Sequence, residues 1–198
     1  MARITKPVEE RRQEIIDTAH TMFMSNGFDK TQMADISKKM NVAAGTIYHY
    51  FKSRTDLLYA VIDKIVDEKM KSQSKHQSNL HGSAFDRLKQ ILLSFQNVEK
   101  LGNISFILGN DPALIQYYLT KLNNSLSPFF GSLIEQGNAD GSWKCEYPKE
   151  TAIFVLHGMA GVLADWHQLK ESKQEKLNKI KVYTSMFLRV LGITEKEG

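Results

Sequence analysis

Residues 31 to 54 constrain the fold of this chain more than any other stretch. Thr31 to Met40 reads as a ten-residue amphipathic helix, with Met33, Ile36 and Met40 on one side. Asn41 tolerates a left-handed backbone, so this helix can stop there and the chain can turn. The run from Val42 to Arg54 then supplies a second short helix, on which Ile47 and Phe51, four apart, face the same way and can pack on what precedes them. Two short helices joined by a tight turn make a helix-turn-helix.

The rest of the second helix has polar chemistry on a narrow frame. Ala43, Ala44, Gly45 and Thr46 form a nearly bare N-terminal tip, which lets the backbone come close to a surface. Tyr48, His49 and Tyr50 carry hydrogen-bonding tips on rigid rings, and Lys52 and Arg54 add positive charge. In a DNA major groove, contacts to base edges read sequence, while cations on phosphates fix register. The bland alternative is a helical hairpin in a core with ordinary surface Tyr and Lys.

Over residues 11 to 58 the sequence resembles the DNA-binding domain of the TetR/AcrR family of bacterial transcriptional regulators. The resemblance rests on Gly27-Phe28, Thr31, Asp35-Ile36, Val42, the run Gly45-Thr46-Ile47-Tyr48-His49-Tyr50-Phe51-Lys52-Ser53, and Asp56-Leu57-Leu58. It implies DNA contacts from Thr31, residues 43 to 46, Tyr48, His49, Tyr50, Lys52 and Arg54. Two positions depart from the family pattern, which often has Ser at 43 and Lys at 44. Ala43 cannot accept a backbone N–H, so the second helix lacks a cap worth about 1 kcal/mol. Ala44 removes a phosphate or guanine contact, so no relative's operator sequence can be transferred.

The chain has 198 residues, enough for one large or two small domains, and a net charge of +4. The basic excess is mild and permits a nucleic-acid partner; Arg3, Lys6, Lys38, Lys39, Lys52 and Arg54 are the expected phosphate-facing subset. A single cysteine, Cys145, rules out an intrachain disulfide and suits a reducing compartment. No apolar run reaches a membrane span, and a cytoplasmic protein with no membrane association is expected.

The expected fold is all-α, with about nine helices. An N-terminal three-helix DNA-binding domain occupies residues 1 to 54, a helix over 53 to 71 connects, and residues 72 to 198 form a helical ligand-binding and dimerisation domain. Pro7 with Glu9 and Glu10 marks the first helix start. Ser53 with Asp56 is a capping box for the connecting helix. Residues 72 to 82 read as a polar linker, and Pro128 is expected to kink or break the helix that follows Pro112.

Two further features bear on function. The stretch His157 to Trp166 is apolar nearly all round, yet holds two glycines, each costing about 1 kcal/mol inside a helix. Close approach to a second copy explains them, with Gly158, Gly161, Ala164, Tyr183, Phe187 and Val190 at a homodimer interface; the family resemblance implies the same interface. Phe95, Phe106, Tyr117, Tyr118, Phe129, Phe130, Phe154, Met159 and Trp166 are candidates to line a ligand cavity, with Lys121, Asn123, Asn124 and His157 as polar anchors. Few charges fall on the inner stripes, which predicts a small lipophilic effector.

No metal-ligand spacing, phosphate loop or nucleophile elbow occurs, so no cofactor and no enzymatic activity are expected. The expected protein is a homodimeric transcriptional repressor that binds a palindromic double-stranded DNA operator and is released by a small, largely apolar ligand. The alternative is a DNA-bound interaction protein whose C-terminal domain binds a protein partner and no small molecule.

Overall fold

The computed structural model describes residues 7–77, 80–94, 105–109, 111–168 and 172–193. Among them nine α-helices occur: α1 (Val8–Asn26), α2 (Met33–Lys39), α3 (Ala44–Tyr50), α4 (Arg54–Gln77), α5 (Ala84–Ser94), α6 (Ser105–Leu108), α7 (Pro112–Asp140), α8 (Pro148–Gln168) and α9 (Lys173–Val190). They fall into two compact units, residues 1–68 with 106–109, and residues 69–105 with 110–198.

In the first unit the apolar stripe of α1 is buried as Ile15, Ile16, Ala19 and Phe23. It meets Met33 and Ile36 from α2, Ile47 from α3, and Leu57, Leu58, Val61 and Ile62 from α4 in a dry core. Ile107 and Leu108 of α6 are buried in the same unit. Gly27 turns the chain after α1 at φ 84, a conformation that favours glycine, and Phe28 then packs edge-on against Phe23 at 5.3 Å. Lys64 of α4 bridges Asp17 of α1 at 3.1 Å and also pairs with Glu68. Burial of Asp17 opposes its charge, but hydrogen bonds from Gln13 and Lys64 outweigh that and hold its carboxyl below the usual range.

The second unit is built on α7, the longest helix. Asp111 caps it by accepting from the N–H of Ala113 at 2.9 Å, and Pro112 fits the first turn, where no N–H is needed. Pro128 does not break α7, which continues as one helix to Asp140. The Ser127 hydroxyl donates to the Asn123 carbonyl at 2.7 Å one residue before the lost bond, and packing of Leu119 and Leu126 before the proline and of Phe130, Leu133 and Ile134 after it holds the helix on both sides. Gly137 leaves room for the indole of Trp143, whose Nε1 donates to the Ile134 carbonyl at 2.9 Å. The Asn138 side chain pairs with both backbone groups of Cys145 at 2.7 Å, closing the loop into α8. Ala84, Leu88, Ile91, Ala152, Leu156, Leu188 and Leu191 complete this core.

One boundary differs from expectation. The segment from residue 72 is no linker through its first half, because α4 runs unbroken to Gln77. Polar residues there are compatible with a helix, since Lys, Gln and Ser cost little in its interior.

Candidate functional site

The turn between α2 and α3 is fixed by backbone chemistry. Asn41 adopts φ 53, the Val42 N–H donates to the Ser37 carbonyl at 3.0 Å, and the Asn41 N–H to the Lys38 carbonyl at 3.1 Å. That pair of bonds is a Schellman motif, which ends α2 and aims the chain directly into α3. At the other end, Gln32 and Asp35 form a reciprocal capping box, with the Gln32 N–H donating to Asp35 at 2.9 Å. Asp35 was legible as a motif residue, but Gln32 as a cap was not, because Ser, Thr, Asp and Asn dominate that position.

α3 has one buried anchor, Ile47, followed by Phe51, with the Arg12 guanidinium 5.0 Å from the Phe51 ring centroid. These contacts fix the helix and turn the opposite face outward. Ala43, Ala44, Gly45, Tyr48, His49 and Lys52 are exposed, while Thr46 and Tyr50 are half-buried. A Cβ at Gly45 would meet nothing within 4 Å, so the glycine answers to no internal packing need. Ala43 occupies the N-cap without a side-chain bond, as its methyl group requires. His49 and Tyr50 stack edge-on at 5.2 Å, which restricts both rings. The structure therefore brings eight of the ten expected DNA-facing residues to one helix and its flanks.

The other two are engaged within the unit. Thr31 is fully buried and its hydroxyl donates to the Gly27 carbonyl at 2.9 Å, so it offers no surface to a partner, which corrects the sequence reading. Arg54 is half-buried over the Phe28 ring, 4.2 Å from the centroid, and its Nη1 reaches the carbonyls of Phe28 at 3.2 Å and Thr31 at 3.2 Å, so its guanidinium holds the loop between α1 and α2. Arg3 and Lys6 lie outside the described residues.

The second unit encloses a cavity of about 120 Å³ between the end of α4, α5, α7, α8 and α9. Its wall is mostly apolar, with Leu119, Leu122, Leu126, Phe130, Val155, Met159 and Ile180 prominent, and Lys69, Gln73, Asn123 and Thr184 as its polar members. Of the expected ligand residues, Asn123, Phe130 and Met159 line it. Tyr117, Tyr118, Lys121, Phe129, Phe154 and His157 do not. Tyr118 is buried but accepts from Lys69 at 3.2 Å instead, Phe129 packs on the core and Lys121 sits 5.5 Å from the Tyr117 ring. Phe154 is 75 % exposed and His157 also faces outward, because α8 turns Ala152, Leu156 and Ala160 inward. Phe95 lies outside the described residues, as do the side chains of Phe106, Ala164 and Trp166.

The outer faces of α8 and α9 are unusually apolar for exposed helices: Ile153 and Phe154 on one, Val182, Met186 and Val190 on the other. Gly158 and Gly161 share the outer face of α8, and a Cβ at either would meet nothing within 4 Å, so the chain's own packing does not require them. Val190 thus stands where expected and Tyr183 is half-buried, whereas Phe187 belongs to the core against Phe130 at 6.4 Å. The outward stripe on α9 shares Val190 with the expected one but presents Val182 and Met186 in place of Tyr183 and Phe187. Among the described residues no cluster of His, Cys, Asp or Glu suits a metal ion, and no helix is long and apolar enough to cross a membrane.

Comparison with known proteins gives these features a context. Residues 15–61 match the family model described as bacterial regulatory proteins, tetR family. The HTH-type transcriptional regulator YhgD of Bacillus subtilis (strain 168) is 25 % identical over 172 residues, spanning 80 % of this chain and 85 % of that protein. The HTH-type transcriptional repressor KstR2 of Rhodococcus jostii (strain RHA1) is 21 % identical over 166 residues, covering 80 % of each chain. Among solved structures, RolR in complex with resorcinol aligns with TM-score 0.66 and 19 % identity over 94 % of this chain and 89 % of that one, which is a likeness of fold.

Proposed function

We propose that the chain, whose residues 15–61 match the tetR family of bacterial regulatory proteins, is a DNA-binding regulator that works as a homodimeric repressor released from its operator by a small, largely apolar ligand. The observation that carries the first half is the outward face of α3. Tyr48, His49 and Lys52 are exposed while Ile47 is sealed in the core, which separates the reading surface from the support. Two copies of α3 set in successive major grooves account for a palindromic operator, since protein two-fold symmetry is mirrored in the site. The apolar outer faces of α8 and α9 supply the surface that pairs the two chains, and Gly158 and Gly161 permit close approach of the helices.

The cavity favours a small molecule over a protein partner as the signal. Its size is close to that of an engineered apolar cavity, about 150 Å³, that takes benzene, and RolR, with a similar fold, is a protein solved with the single-ring ligand resorcinol. A ligand acts only through its difference in affinity for the two forms of the protein; a hundredfold loss of operator affinity takes about 2.7 kcal/mol of coupling. α4 is continuous from the first unit into the second, so it is the covalent route for that coupling.

Operator selection followed by salt titration tests this reading. A selected palindromic duplex should bind far more tightly than a scrambled one at about 0.15 M salt, with log affinity falling steeply against log salt. Equal affinities for the two duplexes refute sequence-specific binding.

A further inference from the structure

Resting on the reading of the cavity as an effector site, we infer that the effector is not a neutral lipophile but a small organic acid: an apolar body of about one ring, carrying an anionic group received by Lys69 and a polar oxygen met by Asn123. Two independent observations point the same way. Lys69 lines the cavity and its Nζ donates to the Tyr118 hydroxyl at 3.2 Å, with the same ring 5.9 Å away. A phenol is a neutral partner, and among the described residues no carboxylate pairs with this ammonium. Half-buried at the edge of an apolar chamber, it is a cation without a carboxylate beside it among those residues.

Asn123 is the second observation. It is only 5 % exposed and lines the same cavity from α7. Its carbonyl accepts from Ser127, but its side-chain amide makes no hydrogen bond among the described residues. A buried amide left unmatched is costly, and a ligand oxygen in the chamber that Asn123 lines would satisfy it. The wall around these two groups is hydrocarbon, including Leu119, Leu126, Phe130 and Met159. A neutral hydrocarbon would leave the Asn123 amide unmatched and the Lys69 charge without a counter-ion, whereas a highly charged molecule would strand charge against that wall.

The sequence pattern alone points to a neutral or lipophilic effector because few charges fall on the inner helix stripes, and Lys69 is not on one of them. The fold brings Lys69 against Tyr118.

The test uses the full-length protein and three probes of one size: toluene, benzyl alcohol and benzoate, titrated by calorimetry or ligand-observed NMR. Benzoate should bind roughly tenfold or more tightly than toluene, the advantage expected of a charge-assisted hydrogen bond in a partly enclosed site. Lys69→Met should bring benzoate down to the level of toluene, Lys69→Arg should keep most of the preference, and Asn123→Leu should weaken benzoate severalfold. Because the comparison of probes on the unmodified protein needs no variant, a misfolded mutant does not decide the matter. Binding of toluene equal to or tighter than benzoate, with both lost in Met159→Trp, overturns the acid and leaves the cavity as an effector site. Failure of all three probes to bind at millimolar concentration overturns both.

Discussion

Replacing Arg54 with lysine separates holding the reading head together from touching DNA. The guanidinium stacks on Phe28 at 4.2 Å, and its Nη1 reaches the Phe28, Asp29 and Thr31 carbonyls at 3.2, 3.4 and 3.2 Å. One nitrogen carries two hydrogens, so three contacts share two hydrogen bonds. Each is charge-assisted but partly exposed, which reduces its net value to about 1 kcal/mol, and the stacking adds about 0.5 kcal/mol. Lysine keeps the charge and loses the planar fork. Arg54→Lys should therefore cost the first unit about 2 kcal/mol, read as loss of amide hydrogen-exchange protection in α2 and α3. Operator affinity should fall because α3 is misplaced, while the slope of log affinity against log salt stays unchanged. Lys52→Met should do the reverse, leaving protection intact and reducing the slope by about 1. An Arg54→Lys protein with normal protection and a reduced salt slope would show that Arg54 is a phosphate contact, and the positioning argument would be wrong.

Other perturbations follow from the same geometry. Tyr48→Phe should weaken operator binding with no change in melting temperature, and normal binding would remove the Tyr48 hydroxyl from the interface. Phe154→Glu together with Met186→Glu should yield monomer in sedimentation and a collapse of operator affinity, because two half-site contacts no longer act together; a normal dimer would place the interface elsewhere. Gly137→Ala should destabilise the second unit by about 1–3 kcal/mol in urea despite its better helix propensity, since the new methyl group overlaps the Trp143 indole; a neutral result would mean the indole moves freely. Stability of the first unit should decline as pH falls through the depressed carboxyl pKa of Asp17: its folded value is lowered, so its contribution is present above the ordinary carboxylate range and lost in acid. Asp17→Asn should flatten that decline, as read by hydrogen exchange across a pH series.

The sequence by itself determined the first unit and its outward helix. There the determinants are local: a helical apolar period, Asn41 at a left-handed position, and Ile47 and Phe51 on the face opposite Tyr48 and His49. Each of these acts within a few residues, so spacing along the chain suffices to place it. The roles of Thr31 and Arg54 were not legible, because a hydroxyl or guanidinium suits a phosphate as well as a carbonyl; Thr31 turns onto the Gly27 carbonyl four residues back and is then buried by the fold, and only tertiary structure puts the Phe28 carbonyl in reach of Arg54. The second unit was decided almost wholly by tertiary packing. Its helices are apolar on more than one face, so periodicity cannot say which face meets the core: Phe187 turns inward and Phe154 outward although both are aromatic residues on apolar helices. The continuation of α7 through Pro128 belongs there too, because burial on both sides of the proline outweighs one missing hydrogen bond.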